Sequence, residues 1–223
     1  MIIGVITCKG RLAHLKRSLP LAVKQFGSIV LVDWDCPDGA GAWASSIPQV
    51  HCLNIEDKPS FHKAAALNIG ARAAIQVGAT RLVFIDADTL LITPIRAKLE
   101  ALDTREIAIA RLSEFKYCQL LGFLSCSVGS FQAVGGFNED YIGWGYEDLD
   151  MRLRLLTNGG CRAVFLPETD FATIKHDTEL RYKYQTDSIV SSAARNRKLF
   201  QGKLRERLAD HWSRELKEAL PFK

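Results

Sequence analysis

Short apolar runs alternate with helix-like segments from Ile2 onward, and the fourth run stops abruptly at two carboxylates, Phe84-Ile85-Asp86-Ala87-Asp88-Thr89. Ile2–Thr7, Ile29–Asp33, Val50–Ile55 and Arg81–Ile85 read as strands, whereas Leu12–Phe26 and the alanine-rich Phe61–Val77 read as helices. Strands joined through helices pair in parallel, so this order predicts an α/β fold with a mostly parallel central sheet flanked by helices. Open sheets of that kind bind ligands beyond the carboxyl ends of their strands, where Asp86 and Asp88 fall. Aspartates two apart present neighbouring hard oxygens, which suits Mn²⁺ or Mg²⁺ holding a diphosphate. An Asp-x-Asp by itself is equally well an Asx-turn at a strand exit, so the rest of the chain has to decide.

The second half is less regular. Ile107–Leu112 and Gly122–Ser130 read as strands, Asp148–Asn158 as a helix stopped by Gly159-Gly160, and Ala163–Leu166 as a last strand. From Ser188 onward the chain is expected to be helical and basic. The length of 223 residues and the hydrophobic fraction of 48% suit one domain, 1–187, with a C-terminal helical extension, 188–223. Net charge is +4 without a basic block interleaved with aromatics before that extension, which argues against a nucleic-acid partner. Met1 leads straight into a strand-like run with no leader pattern, and no apolar stretch reaches bilayer-spanning length. The six cysteines, Cys8, Cys36, Cys52, Cys118, Cys126 and Cys161, form no Cys-x-x-Cys pair. Free thiols in a reducing cytoplasm are the expectation, rather than zinc or a disulfide framework.

Four further segments carry chemistry. In Gly143-Trp144-Gly145-Tyr146-Glu147-Asp148-Leu149-Asp150, the acids fall at a helix start, where the dipole favours them. The same loop offers aromatic faces for sugar rings and a carboxylate able to take a proton from a hydroxyl nucleophile. Lys9 and Arg11, just after the first strand, form either a solvated turn or a phosphate clamp. Phe61, Lys63 and Asn68 open the second helix, either as ordinary helix positions or as a base-and-phosphate contact. His176, in Ile174-Lys175-His176-Asp177, is a structural histidine or, together with Asp88, half of a mixed oxygen and nitrogen metal site favouring Mn²⁺.

Taken in order, these segments resemble a GT-A glycosyltransferase, and more narrowly the β-1,4-galactosyltransferase group with its bacterial family 2-like relatives. Thr7-Cys8-Lys9-Gly10-Arg11 with His14-Leu15 is similar to that group's first nucleotide loop. Phe61 to Gly70 resembles its uridine-side helix, Asp86-Ala87-Asp88 its metal motif, and Gly136-Phe137 with Gly143 to Asp150 its acceptor and catalytic loop. The resemblance implies a UDP-sugar donor carrying a galactose-like or N-acetylgalactosamine-like hexose, a saccharide or lipid-linked acceptor, and inversion to a β-glycoside. It implies Asp148 as the general base and Asp88, His176 and Asp86 at the metal. It implies Thr7, Lys9, Arg11, Asp33, Phe61, Lys63, Asn68, Asp86 and Trp144 on the donor side, and Trp144, Tyr146 and Glu147 on the acceptor side. The chain departs from the group with Gly10 in place of asparagine, Tyr146 in place of glycine and Leu149 in place of an acid.

Rival expectations are a retaining transferase of the same fold, a non-catalytic nucleotide-sugar-binding subunit, and a metal-dependent nucleotidyltransferase. The last leaves the Gly-Trp-Gly-Tyr-Glu-Asp loop unexplained. In the C-terminal segment Arg195–Lys217, Leu199, Leu204, Leu208, Trp212 and Leu216 lie near helical spacing. Packing of this face on the domain is the first expectation. Peripheral contact with anionic lipid on the inner face of the membrane is the second.

Overall fold

The computed structural model describes residues 1–111, 120–175, 183–185 and 187–208, without the side chains of 205–208. Cys118, His176, Trp212 and Leu216 lie outside the described residues.

The first half is β1 (Ile2–Cys8), α1 (Leu12–Phe26), β2 (Ile29–Trp34), α2 (Ala40–Ser45), β3 (Val50–Ile55), α3 (Lys63–Gln76) and β4 (Arg81–Asp86), and all of these but the short α2 follow the sequence pattern. Every residue of β1 and β2 is buried, as parallel strands covered on both faces must be. Helix α1 stops at Gly27, whose φ of 71° lets its N–H return to the carbonyl of Val23. Helix α3 lies close on the sheet because Gly70 faces Val5 and Val32, leaving no space there for a Cβ.

The second half supplies β5 (Thr89–Leu91), α4 (Arg96–Glu100), β6 (Glu106–Ala110), β7 (Leu124–Ser127), α5 (Val128–Ala133), α6 (Glu147–Thr157), β8 (Arg162–Leu166), β9 (Phe171–Thr173) and α7 (Ile189–Leu208). Segment 122–130 is therefore strand only over β7. Ser127 then accepts a hydrogen bond from Ser130 N and caps a short helix where a continuous strand was expected.

The main sheet runs β3-β2-β1-β4-β7-β6-β8, with β7 antiparallel to both its neighbours and the other pairs parallel. Connections from β1 move outward through β2 to β3, then cross back to place β4 on the other side of β1. That reversal opens a crevice between the carboxyl ends of β1 and β4. Thr7 and Asp86 are register partners at this point. Two apolar layers cover the sheet, one around Leu15, Leu19, Phe123 and Phe171 and the other around Phe84, Phe131, Phe137 and Met151. Helix α7 docks through Phe200 and Leu204 against Tyr141, Leu149 and Leu153, so the described part of its apolar face is buried in the domain. No helix among the described residues is long and apolar enough to cross a membrane.

Candidate active site

Asp86 stands at the switch point because β4 ends there, and α6 starts opposite it. The first turn of α6 carries Glu147 and Asp148, where the helix N-terminus favours negative charge. Lys63, the first residue of α3, projects between the two elements. Its Nζ lies 2.9 Å from Asp86 Oδ1, 3.3 Å from Glu147 Oε1 and 2.8 Å from Asp148 Oδ2. Residues far apart in sequence thus meet on one ammonium.

Charge in this cluster is out of balance. Burial would lower the pKa of Lys63, but Asp148, Asp86 and Glu147 together hold it well above its ordinary value. Burial pushes Asp86 up to about 6, with Asp148 and Asp88 adding to the rise and Lys63 opposing it. Glu147 is pushed up to about 7, first by burial and then by Asp148, again against Lys63. Its Oε2 is buried with no hydrogen-bond partner among the described residues.

Two residues that sequence reasoning did not single out complete the frame. Gly122 faces the Asp86 carboxylate so closely that a Cβ would collide with it. Arg152, four residues after Asp148 on α6, is 1% exposed and donates through Nη2 to the carbonyls of Leu120, Leu121 and Phe123 at 3.4, 2.8 and 3.2 Å. Burial lowers its pKa to about 10, with Asp148 and Asp86 opposing the fall, so the guanidinium stays charged at neutral pH. Arg152 therefore ties the helix bearing Asp148 to the loop bearing Gly122. No local pattern signals this, since an arginine on a helix ordinarily faces solvent.

The other expected site residues take varied positions. Lys9 is buried, and its Nζ donates to the carbonyls of Trp34, Asp35 and Lys58 at 3.0, 2.9 and 2.6 Å, which occupies all three of its hydrogens. Arg11 precedes α1 at its N-cap. Asp33 Oδ1 accepts from Cys36 N at 2.7 Å and closes the turn after β2. Phe61 packs beside Val32, Trp34 and Ala66, and its N–H donates to the Tyr184 carbonyl at 2.8 Å. Asn68 bonds both the N–H and the carbonyl of Phe137 at 2.8 Å, pinning that loop to α3. Trp144 is 39% exposed beside the acids. The ring of Tyr146 lies against Phe200 of α7, 5.6 Å between centroids.

Asp88 is half-buried two residues past Asp86, and its carbonyl accepts from Ile174 N at 2.8 Å. This contact flanks the antiparallel β5–β9 pair, beyond which the described chain runs to within one position of His176. No group of three histidine, cysteine, aspartate or glutamate residues is arranged as a metal site among the described residues. The donors nevertheless suit a hard divalent cation, because Asp86 and Asp88, close enough for Asp88 to raise the Asp86 pKa, both offer carboxylate oxygens.

Residues 112–177 match the family model described as the N-terminal domain of galactosyltransferase. Among solved structures, Drosophila β1,4-galactosyltransferase 7 complexed with xylobiose aligns with a TM-score of 0.59 and 18% identity, over 88% of this chain and 79% of that one. This is the GT-A glycosyltransferase fold. Staphylococcus aureus TarS (residues 1–349) aligns at TM-score 0.61 and 11% identity, covering 99% of this chain and 81% of the other. Glucosyl-3-phosphoglycerate synthase from Mycobacterium tuberculosis, solved with Mn²⁺, UDP and phosphoglyceric acid, aligns at 0.57 and 14% identity, covering 88% and 78%. A mutant of the Drosophila enzyme was solved with manganese, UDP-Gal and xylobiose. No curated protein matches the sequence. The sequence expectation of a GT-A fold is borne out, and within that fold the acid cluster lies at the sheet's switch point.

Proposed function

We propose that the protein is a divalent-metal-dependent, inverting glycosyltransferase that moves a galactose-like hexose from a UDP-sugar to a hydroxyl of a saccharide or lipid-linked acceptor. The observation that carries this reading is the convergence of Asp86, Glu147 and Asp148 on Lys63 beside an aromatic loop. A galactosyltransferase model match over 112–177 and structural relatives solved with manganese and UDP-Gal support it.

In this reading Asp148 is the general base. Hydrogen bonding to Lys63 at 2.8 Å holds its carboxylate in place. It takes the acceptor's hydroxyl proton while the acceptor oxygen bonds to the anomeric carbon and the bond from that carbon to the UDP phosphate breaks. Attack from the face opposite UDP converts an α-linked donor into a β-glycoside, the stereochemical course of inverting glycosidases that use one carboxylate as base. Glu147, whose Oε2 has no hydrogen-bond partner among the described residues, would take an acceptor hydroxyl. Asp88, Asp86 and His176 would hold the divalent cation. When bound, that cation neutralises negative charge gathering on the departing diphosphate. Phe61 and Arg11 belong to the donor side. Lys9 and Asn68 act there by shaping loops, because their polar atoms are engaged with backbone.

The test is transfer from UDP-galactose over an acceptor panel, with the product anomer read by NMR. Asp148→Asn is expected to lower turnover by roughly 10²–10⁴ while leaving UDP affinity intact. Near-normal turnover in that variant refutes the base assignment, and an α-linked product refutes inversion.

A further inference from the structure

The backbone from Gly143 to Tyr146 bends in a way that needs outside support. Gly143, Gly145 and Tyr146 have φ of 80°, 94° and 75°. Glycine reaches that region freely, whereas tyrosine stays there only where its surroundings over-determine it. Those surroundings belong to α7.

Asn196 is fully buried, and its Nδ2 donates to the carbonyls of Ile142, Trp144 and Gly145 at 3.1, 3.2 and 3.0 Å. One turn earlier, Ser192 Oγ accepts from Trp144 N at 3.2 Å. One turn later, the Phe200 ring supports Tyr146. Ser192, Asn196 and Phe200 stand four residues apart, so one helix face grips the whole loop. An amide donates only through its nitrogen, so three carbonyls at one end fix its orientation. Its oxygen, Asn196 Oδ1, is left buried without a hydrogen-bond partner among the described residues. An apolar side chain would avoid that unpartnered oxygen but would supply no donors to the loop.

We infer that α7 is a wall of the active site, with Asn196 the positioning residue that sets the Trp144–Tyr146 backbone ahead of Glu147 and Asp148. That this wall faces an acceptor rests on the glycosyltransferase reading; that Asn196 sets the loop does not.

Asn196→Asp discriminates between shape and hydrogen bonding. It keeps the side-chain outline and turns an oxygen toward three carbonyl oxygens. The full-length chain is used, with circular dichroism confirming the fold. Acrylamide quenching assigned to Trp144 is the difference in quenching between each background and its Trp144→Phe counterpart. Calorimetry measures UDP affinity in Mn²⁺. Asn196→Asp is expected to raise the quenching of Trp144. Ser192→Ala, which removes one contact without burying a charge, is expected to shift quenching in the same direction by less, and it decides the matter where the first variant does not fold. Trp144 quenching equal to wild type in the folded variants overturns the inference. A wild-type protein that binds no UDP in Mn²⁺ sinks the glycosyltransferase reading instead, and the quenching result still decides the role of the helix.

Discussion

Lys63 shows how much one side chain organises here. Buried acids repel one another and resist ionising, and a single ammonium within 3.3 Å of Asp86, Glu147 and Asp148 offsets part of that cost. Opposite it, Gly122 makes room for the Asp86 carboxylate. Gly122→Ala must therefore move Asp86 or the loop, and overpacking of this kind typically costs about 1–3 kcal/mol. We expect a lower denaturant midpoint together with weaker UDP affinity in Mn²⁺. Wild-type values for both would show that Asp86 is not held by this contact. The types of the site residues were readable in sequence, since acids at a strand exit and at a helix start suggest a charged cleft. Their pairing was not, because it depends on where α3 packs on the sheet, which lets Lys63 at its start reach both β4 and α6. Lys9 illustrates the same limit: a lysine after β1 suggests a phosphate contact, yet the nearby carbonyls of Trp34, Asp35 and Lys58 take its hydrogens.

At the scale of elements, what was legible depended on length and on local signals. Helix α1 and strand β3 appear with the bounds their patterns predict, because each has a sustained period and a clear stop. Helix α2, helix α5 and the β5–β9 pair went unread because they are short and held by tertiary contacts rather than propensity. The β5–β9 pair matters most, since it brings the chain approaching His176 alongside Asp88. Helix α7 was legible as a helix but not as a partner of the Gly143–Tyr146 loop. Phe200 is 1% exposed beneath that loop. Its replacement by alanine is expected to cost about 3–5 kcal/mol in chemical denaturation, as for other buried aromatics. A cost near zero would contradict docking of the helix on the domain.

Across the whole molecule, the acid cluster makes stability depend on pH. Folding raises Asp86 from 3.8 to about 6 and Glu147 from 4.5 to about 7. The folded state then binds more protons than the unfolded chain across that interval, so stability falls as pH rises from about 4 to 7. The raised pKa of Lys63 acts only at alkaline pH and leaves this window unchanged. In chelator, Tm is expected to drop across the interval. With Mn²⁺ and UDP the drop is expected to shrink, because cation binding favours the deprotonated carboxylates. A Tm rising with pH in chelator would contradict the charge balance described for the site.

The most direct test of the central claim, that this acid cluster is a metal-dependent nucleotide-sugar site, is calorimetric titration of UDP into the full-length protein in Mn²⁺ and again in EDTA. The account predicts saturable binding in Mn²⁺ that is lost in EDTA and lost in Asp88→Ala. Equal binding in chelator, or no binding in Mn²⁺, would contradict it.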